Sequence, residues 1–289
     1  MTTVPSTARR LRAPRHPTRG KTAPGRLRRL DAFLALTEGA LLRGDGAGVV
    51  VDLGFGAEPW TTLEWARAIA RVDPNRLVVG VEADPARVAA AVPHADDRVR
   101  FEHGGFDLGA LNRPVRLARA MNVLRQYDEC EVEAAHTAMG RALVDGGLLV
   151  EGTSDPLGRV MVVELLRRRS SALELEGILF ACDPARSASP EQFPPVLPKR
   201  LIHRMGEDSD VRDFFERWRD AYRAARSHAA WGPRAQWIAV ARTLALAGTI
   251  DPRPRLIRRG WLVWRGAPGR RYTVLLGANP SDARSGPLR

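Results

Sequence analysis

The chain has 289 residues, 44% of them hydrophobic, and a formal net charge of +12, so it is long enough to bury a large core as one enlarged domain or one domain with an appended subdomain. Two cysteines, Cys130 and Cys182, are too few for a disulfide framework, and no zinc-type ligand set surrounds them. No apolar stretch approaches the roughly 20 residues of a membrane span, and no apolar segment follows the N-terminal charges, so a reducing, cytoplasmic setting is expected.

Residues 1–29 hold nine basic side chains and no acid, broken by Pro5, Pro14, Pro17, Gly20, Pro24 and Gly25. From residue 30 onward 36 basic residues face 33 acidic ones, so most of the excess charge sits in this arm, which its composition predicts to be disordered. Two uses are open. Such an arm can follow an RNA or DNA backbone through electrostatics, or it is a solvated tail. Only Lys21 and Lys199 are lysines, a bias that codon usage alone can produce.

DAFLALTEGALLR (31–43) predicts a helix with Asp31 as its cap. GAGVVVDLGFG (46–56) predicts a strand and a glycine turn, and Thr61 with Glu64 has the spacing of a capping box for the helix that follows. RLVVGVEAD (76–84) is a continuous apolar strand ending in acid, and Asp84-Pro85 starts the next helix. A short strand and turn follow at 99–108, then a strand at 114–124 interrupted by Arg116 and Arg119. Asp128 and Glu131 cap a helix, Gly146-Gly147 stop it, and LLVEGT (148–153) is a fifth strand. DPLGRVMVVELLRRR (155–169) is expected to be a helix and LELEGILFA (173–181) a sixth strand.

From 184 to 257 the chain becomes helical and proline-punctuated, with apolar stripes at Val211/Phe214/Trp218/Tyr222 and Trp237/Val240/Leu244. WLVW (261–264) and YTVLL (272–276) return to strand character around a GAPG turn. The alternation predicts an α/β, doubly wound, mostly parallel sheet. The expected organisation is a basic arm (1–29), a Rossmann-like core (30–183), a helical insertion (184–257) and terminal strands with a tail (258–289).

The glycine turn narrows the chemistry. A dinucleotide loop of the G-x-G-x-x-G type needs a third glycine where this chain has Pro59, and a P-loop needs a Gly-Lys-Ser/Thr that is missing. Asp52 before the turn and Glu58 beyond it disfavour pyrophosphate and suit a ligand carrying an amino group and a sulfonium.

Asp52-Leu53-Gly54-Phe55-Gly56, Glu82 in VVGVEAD, the segment ARAMNVLRQYDE and the passage AMGRALVDGGLLVEGT together resemble the class I S-adenosylmethionine-dependent methyltransferases. The resemblance implies a seven-stranded sheet with S-adenosylmethionine held by Asp52, Gly54, Phe55, Gly56, Glu82, Ala83, Phe106 and Asn122, with Glu82 accepting both ribose hydroxyls. More loosely, RGKTAPGRLRRLD, LPKRLIHR and AWGPRAQW resemble a bacterial subgroup of methyltransferase-like proteins. The chain departs from the family pattern at Pro59 and in the 28 residues separating Gly54 from Glu82, against about 20 in nucleotide-binding units of this kind.

Neither cysteine has the setting of an activated thiolate, no metal-ligand spacing occurs, and His103 is the one histidine beside an expected ligand turn. Three functions remain open: methyl transfer to a small molecule or protein, methyl transfer to RNA reached through the arm, or a non-catalytic S-adenosylmethionine- or nucleic-acid-binding protein that keeps the fold.

Overall fold

The computed structural model describes residues 22–43, 48–207, 209–265 and 272–276. The valine-rich runs form the sheet centre, because β-branched side chains covered on both faces leave no polar alternation: β1 (Val49–Leu53) and β2 (Val78–Glu82) are buried at every position. β3 (Val99–His103), β4 (Val115–Met121) and β5 (Leu143–Ser154) complete a parallel set in the order β3-β2-β1-β4-β5. Beyond β5 the sheet turns antiparallel through β6 (Val160–Arg169), β7 (Ala172–Cys182) and β8 (Trp261–Trp264). A ninth strand, β9 (Thr273–Leu275), pairs with the lower part of β7 on the edge that β8 uses higher up.

The sheet therefore has nine strands where seven were expected, and the segment 155–169 accounts for part of the difference. It is not a helix. Gly158, at φ +63°, closes a tight turn after β5, and Val160, Val162 and Val163 then run back antiparallel along that strand. With Met161 to Leu165 buried on both faces, the run has no polar side to show a helical period, and length alone does not separate a buried strand from a helix.

Helices cover both faces. α1 (Arg28–Thr37), α2 (Gly39–Arg43) and α3 (Trp60–Ala70) pack Leu30, Phe33, Leu42, Trp65 and Ile69 against one face. α4 (Pro85–Ala91), capped by Asp84, encloses a smaller cluster of Phe55, Val88 and Phe101. The other face carries α5 (Glu129–Ala142), α6 (Lys199–Glu207), α7 (Ser209–Ala224) and α8 (Pro233–Leu246). There Phe214 stacks on Trp264 at 4.2 Å and Phe180 meets Phe193, Phe215 and Trp218 edge-on, so the helices before β8 share one core with the sheet. The short α9 (Pro254–Ile257) leads into β8. Among the described residues no helix is long and apolar enough to cross a membrane.

Two sequence-level caps resolve differently. α1 begins at Arg28, so Asp31 lies inside its first turn and is buried rather than capping. Thr61 and Thr62 turn their hydroxyls onto Asp52, leaving α3 to start after Pro59 with no side-chain cap. The Asp128–Glu131 capping box of α5 is present.

A buried polar cluster joins the sheet to the second helical layer. Glu151 and Glu164 face each other across β5 and β6, Arg200 pairs with Glu164 and lies 3.9 Å above the Tyr272 ring, and the Tyr272 hydroxyl meets His136 Nδ1 at 2.7 Å. Burial, then Arg200, pushes the His136 imidazole down to about 3. A folded-state value below the unfolded 6.5 contributes stability in full above pH 6.5 and loses it as the pH falls toward 3. His136→Gln is expected to lack that loss: relative to its own value at pH 7, it should retain roughly 3 kcal/mol more unfolding free energy at pH 4 than the wild type. Urea titrations of both chains at the two pH values measure this, and parallel pH profiles would contradict it.

Candidate functional site

The strand order reverses between β1 and β4, so their outgoing connections diverge to opposite faces and leave a crevice at their carboxyl ends. The turn after β1 fills it with backbone. Gly54 and Gly56 have φ of +74° and +87°, and a Cβ on Gly54 would lie 2.6 Å from Val123 Cγ2. Both positions therefore need glycine.

Glu82, at the end of β2, faces this turn. Its Oε2 accepts from Gly56 N at 2.9 Å, and its Oε1 accepts from Ala83 N at 3.0 Å and Asp84 N at 3.3 Å. Three backbone donors thus fix the carboxylate and leave a lone pair on Oε2. The carboxylate, Gly54, Ala83, Gly105, Phe106 and Val123 line a cavity of about 20 Å³, room for one water. Gly105 has no heavy atom within 4 Å of where its Cβ would be, whereas a Cβ on Gly104 would lie 3.1 Å from Val81 Cγ1 and Phe106 is buried in the core.

The other predicted residues divide by where their side chains go. Phe55 is buried away from the cavity, 5.3 Å from Phe101. Asn122, in the left-handed region at φ +61°, spends its amide on β5: Oδ1 accepts from Ser154 N at 2.8 Å and Nδ2 donates to Ser154 Oγ at 3.2 Å. Asp52 is turned into the protein. Its Oδ1 accepts from Arg119 Nε at 2.7 Å and its Oδ2 from the Thr61 and Thr62 hydroxyls at 2.9 and 2.8 Å. His103 is exposed and its Nε2 lies 3.1 Å from Ala83 O. Cys182 is buried, with its thiol pushed far up by burial, and Cys130 is exposed on α5. Among the described residues no group of three or more His, Cys, Asp or Glu side chains is placed to hold a metal ion.

Arg119 is the residue that sequence reasoning treated as an interruption of β4. It is fully buried, stacks 4.0 Å over the Trp65 ring, ion-pairs with Asp31 and Asp52, and donates from Nη2 to Thr61 O at 2.6 Å. Burial pushes the Asp31 carboxyl up to about 7 against the pull of Arg119, with the nearby Asp52 charge adding to the rise. One cation shared by two buried acids holds α1, β1 and the start of α3 in register around the glycine turn. The signal was available: a lone arginine in an apolar strand needs an acid, and Asp52 lies directly beside it in register.

The arm is also revised. Its last eight residues, 22–29, lie across the carboxyl ends of the strands. Gly25 N donates to Glu64 on α3 at 2.7 Å, Arg26 donates to Ser154 Oγ, Ser154 O and Asp155 O at 3.0 Å each, and Arg29 pairs with Asp183 after β7 at 3.1 Å. Residues 1–21 lie outside the described residues. Toward the C-terminus, Arg253 pairs with Asp251, and Arg265 with Asp251 and Glu176. Arg255, Arg258 and Arg259 are exposed on or just after α9, where Gly260 O accepts from Cys182 N at the carboxyl end of β7. Arg270, Arg271 and the GAPG turn fall outside the described residues.

Fold and crevice define an α/β sheet of the doubly wound kind with a small-ligand crevice at its switch point. No family model matches the chain. Over 88 residues, 29% of its length, it is 38% identical to ribosomal RNA small subunit methyltransferase H of Methylobacterium sp. (strain 4-46), and spans a quarter of that protein. Among solved structures it is similar to magnesium protoporphyrin IX methyltransferase from Synechocystis PCC 6803 with bound SAH, at 18% identity and a TM-score of 0.34, covering 44% of this chain and 54% of that one. It is also similar to an amino pentose methyltransferase from Micromonospora echinaspora with bound SAM, at 21% identity and a TM-score of 0.31, covering 53% and 70%.

Proposed function

We propose that the chain binds S-adenosylmethionine in the β1/β4 crevice and transfers its methyl group, with RNA as the acceptor class best supported. The observation that carries the first half is Glu82, a buried carboxylate fixed by the N–H groups of Gly56, Ala83 and Asp84 at the mouth of the glycine turn. Its free lone pair suits one ribose hydroxyl, and the long 3.3 Å bond from Asp84 N is the one that a second hydroxyl would displace. Gly54, Gly56 and Ala83 supply close backbone approach, and Phe106 an apolar wall. Asp52 and Asn122 act on the ligand through the framework, one by fixing the glycine turn and the other by clamping β4 to β5. The bound cofactor supplies an electrophilic methyl carbon on a sulfonium. The chain's own contribution is to bind and orient, which suffices for in-line attack by an acceptor held close.

RNA is favoured over a small acceptor by the placement of charge. Arg28 in α1, Arg125 after β4, Arg159 after β5, and Arg255 and Arg258 are exposed and form no ion pair among the described residues, and all belong to segments at the carboxyl ends of the strands. Of the acids at that end, Asp155 and Asp183 are taken up by the backbone N–H groups of Arg159 and Val160 and by Arg29 and Arg186, while Glu58 after β1 and Asp128 and Glu129 after β4 are exposed. The 38% identical segment of an RNA methyltransferase supports the same reading.

Calorimetry with S-adenosylhomocysteine and with NAD tests the cofactor. Binding of the first and none of the second is expected, and the reverse preference would sink the proposal. Glu82→Ala is expected to weaken S-adenosylhomocysteine binding by at least about tenfold. It should also lower the melting temperature of the free protein, because Gly56, Ala83 and Asp84 lose their shared acceptor. Unchanged affinity would move the ribose acid elsewhere, Asp84 first. Transfer of labelled methyl from the cofactor into fractionated cellular RNA tests the acceptor.

A further inference from the structure

The segment AWGPRAQW (230–237) carries two tryptophans with opposite surroundings. Trp237 in α8 is fully buried, and its Nε1 donates to Ile257 O at 2.8 Å. Trp231 ends a short helical stretch, Arg226–Trp231, between α7 and α8, and is 75% exposed. Of the other tryptophans in the chain, Trp60 is half-buried and the rest are buried. The backbone fixes where the indole stands. Gly232, at φ +92°, turns the chain directly after it and Pro233 opens α8. His228 meets the ring edge-on, with centroids 5.6 Å apart and planes at 69°, so the indole is backed on one side and otherwise lies in solvent.

The charge around this ring has one sign. Between Asp220 and Asp251 the chain has four arginines and no acid. Arg226, Arg234 and Arg242 are exposed and form no ion pair among the described residues. Arg234 donates to Arg258 O at 3.2 Å, which joins the start of α8 to α9 and its exposed Arg255 and Arg258. Arg242 and Arg258 also border an apolar recess of about 340 Å³ lined by Ile238, Leu246 and Ile257. A folded protein partner would have to bring an apolar patch ringed by acids. Single-stranded RNA brings an aromatic face and a negative charge in every nucleotide.

Building on the RNA reading above, we propose that Trp231 is a stacking platform for an unpaired base of the RNA, with Arg226, Arg234 and Arg258 taking the flanking phosphates. The platform lies outside the cofactor crevice. α9 and the start of α8 stand by the end of β7, and β4, β5 and β6 separate β7 from β1. Every base has a π-face, so stacking on an indole adds affinity without reading sequence. It does select strandedness, because the bases of a duplex are already stacked on one another. A ring held in place before binding also loses little freedom when the base arrives.

The test compares the full wild-type chain with Trp231→Ala and Trp231→Phe, using a short single-stranded RNA of mixed sequence and the same RNA annealed to its complement. Trp231→Ala is expected to bind the single strand about tenfold more weakly, with the duplex affinity, the salt slope and the melting temperature of the free protein nearly unchanged, because no charge and little buried surface is removed. The single strand should quench the tryptophan emission of the wild type. Trp231→Phe should lack that quenching and keep part of the affinity, since a phenyl ring also stacks. If the wild type binds the single strand and Trp231→Ala binds it equally well, the platform is overturned while the RNA reading stands. Equal losses for single strand and duplex would overturn it too, as would quenching by phosphatidylserine vesicles, or self-association lost in Trp231→Ala, in place of an effect on RNA. If the wild type binds neither RNA, the RNA reading fails and the platform with it, and the cofactor site is untouched.

Discussion

Replacing Arg119 with methionine is expected to lower the unfolding free energy by about 3–5 kcal/mol near pH 8 and by distinctly less near pH 5. The guanidinium is fully buried between Asp31 and Asp52, with the Trp65 ring beneath it. Methionine fills much of the volume but leaves two carboxylates in a low-dielectric interior with no cation. The pH dependence follows from linkage. Asp31 already titrates at about 7, above its unfolded 3.8, so its contribution to stability is full below pH 3.8 and is lost as the pH rises through 7. Without Arg119 the folded-state value of Asp31 rises further, so its carboxyl stays neutral at pH 5. The cost of the substitution therefore grows with pH. Denaturant unfolding of wild type and variant at pH 5 and pH 8 measures it, and a pH-independent difference would show that the acids do not feel the arginine. The double substitution Asp31→Asn with Arg119→Met should recover part of the loss at pH 8 and little at pH 5.

That network also shows what sequence could and could not convey. The parallel strands β1, β2 and β5 were legible because each carries a continuous apolar run bounded by acid or glycine, and β4 was legible despite Arg116 and Arg119. The turn at Gly54 and Gly56 and the acid that ends β2 were legible because both are set by local backbone geometry. β6 was misread because burial on both faces removes the alternation that distinguishes a strand. Asp31 and Asp52 were misassigned for a different reason. Each has a plausible local role, as a cap or as a ligand to an amino group, but burial by α1 and α3 turns both to Arg119, 88 and 67 residues away, with Thr61 and Thr62 completing the shell of Asp52.

RNA binding by the full chain is expected to fall by about a few hundredfold between 50 and 200 mM salt, and most of that dependence is expected to vanish when residues 1–21 are removed. Those residues hold Arg9, Arg10, Arg12, Arg15, Arg19 and Lys21 and no acid. Each phosphate contact on a single strand contributes about −0.7 to the log–log slope, so six contacts give about −4. Where the segment is anchored makes this more than a property of a basic peptide. Residue 22 begins a stretch fixed at Gly25 to α3 and at Arg26 to the end of β5, so the described chain starts at the rim of the crevice. From there Arg28, Arg125 and Arg159 continue the positive surface along the same edge, and they should account for the slope that survives truncation. The β2 and β3 end of that edge instead carries Glu82, Asp84 and Asp107, with Arg87 paired to the first two at 3.9 and 3.4 Å. A polyanion is therefore expected to lie over the ends of β4 to β7 and to present its acceptor atom toward the β1/β4 crevice. Filter binding of a short RNA to the full and truncated chains across a salt series measures both slopes. Equal slopes would remove the arm from the interface, and a flat response in both would return the acceptor to the small-molecule class while leaving the cofactor site as it stands.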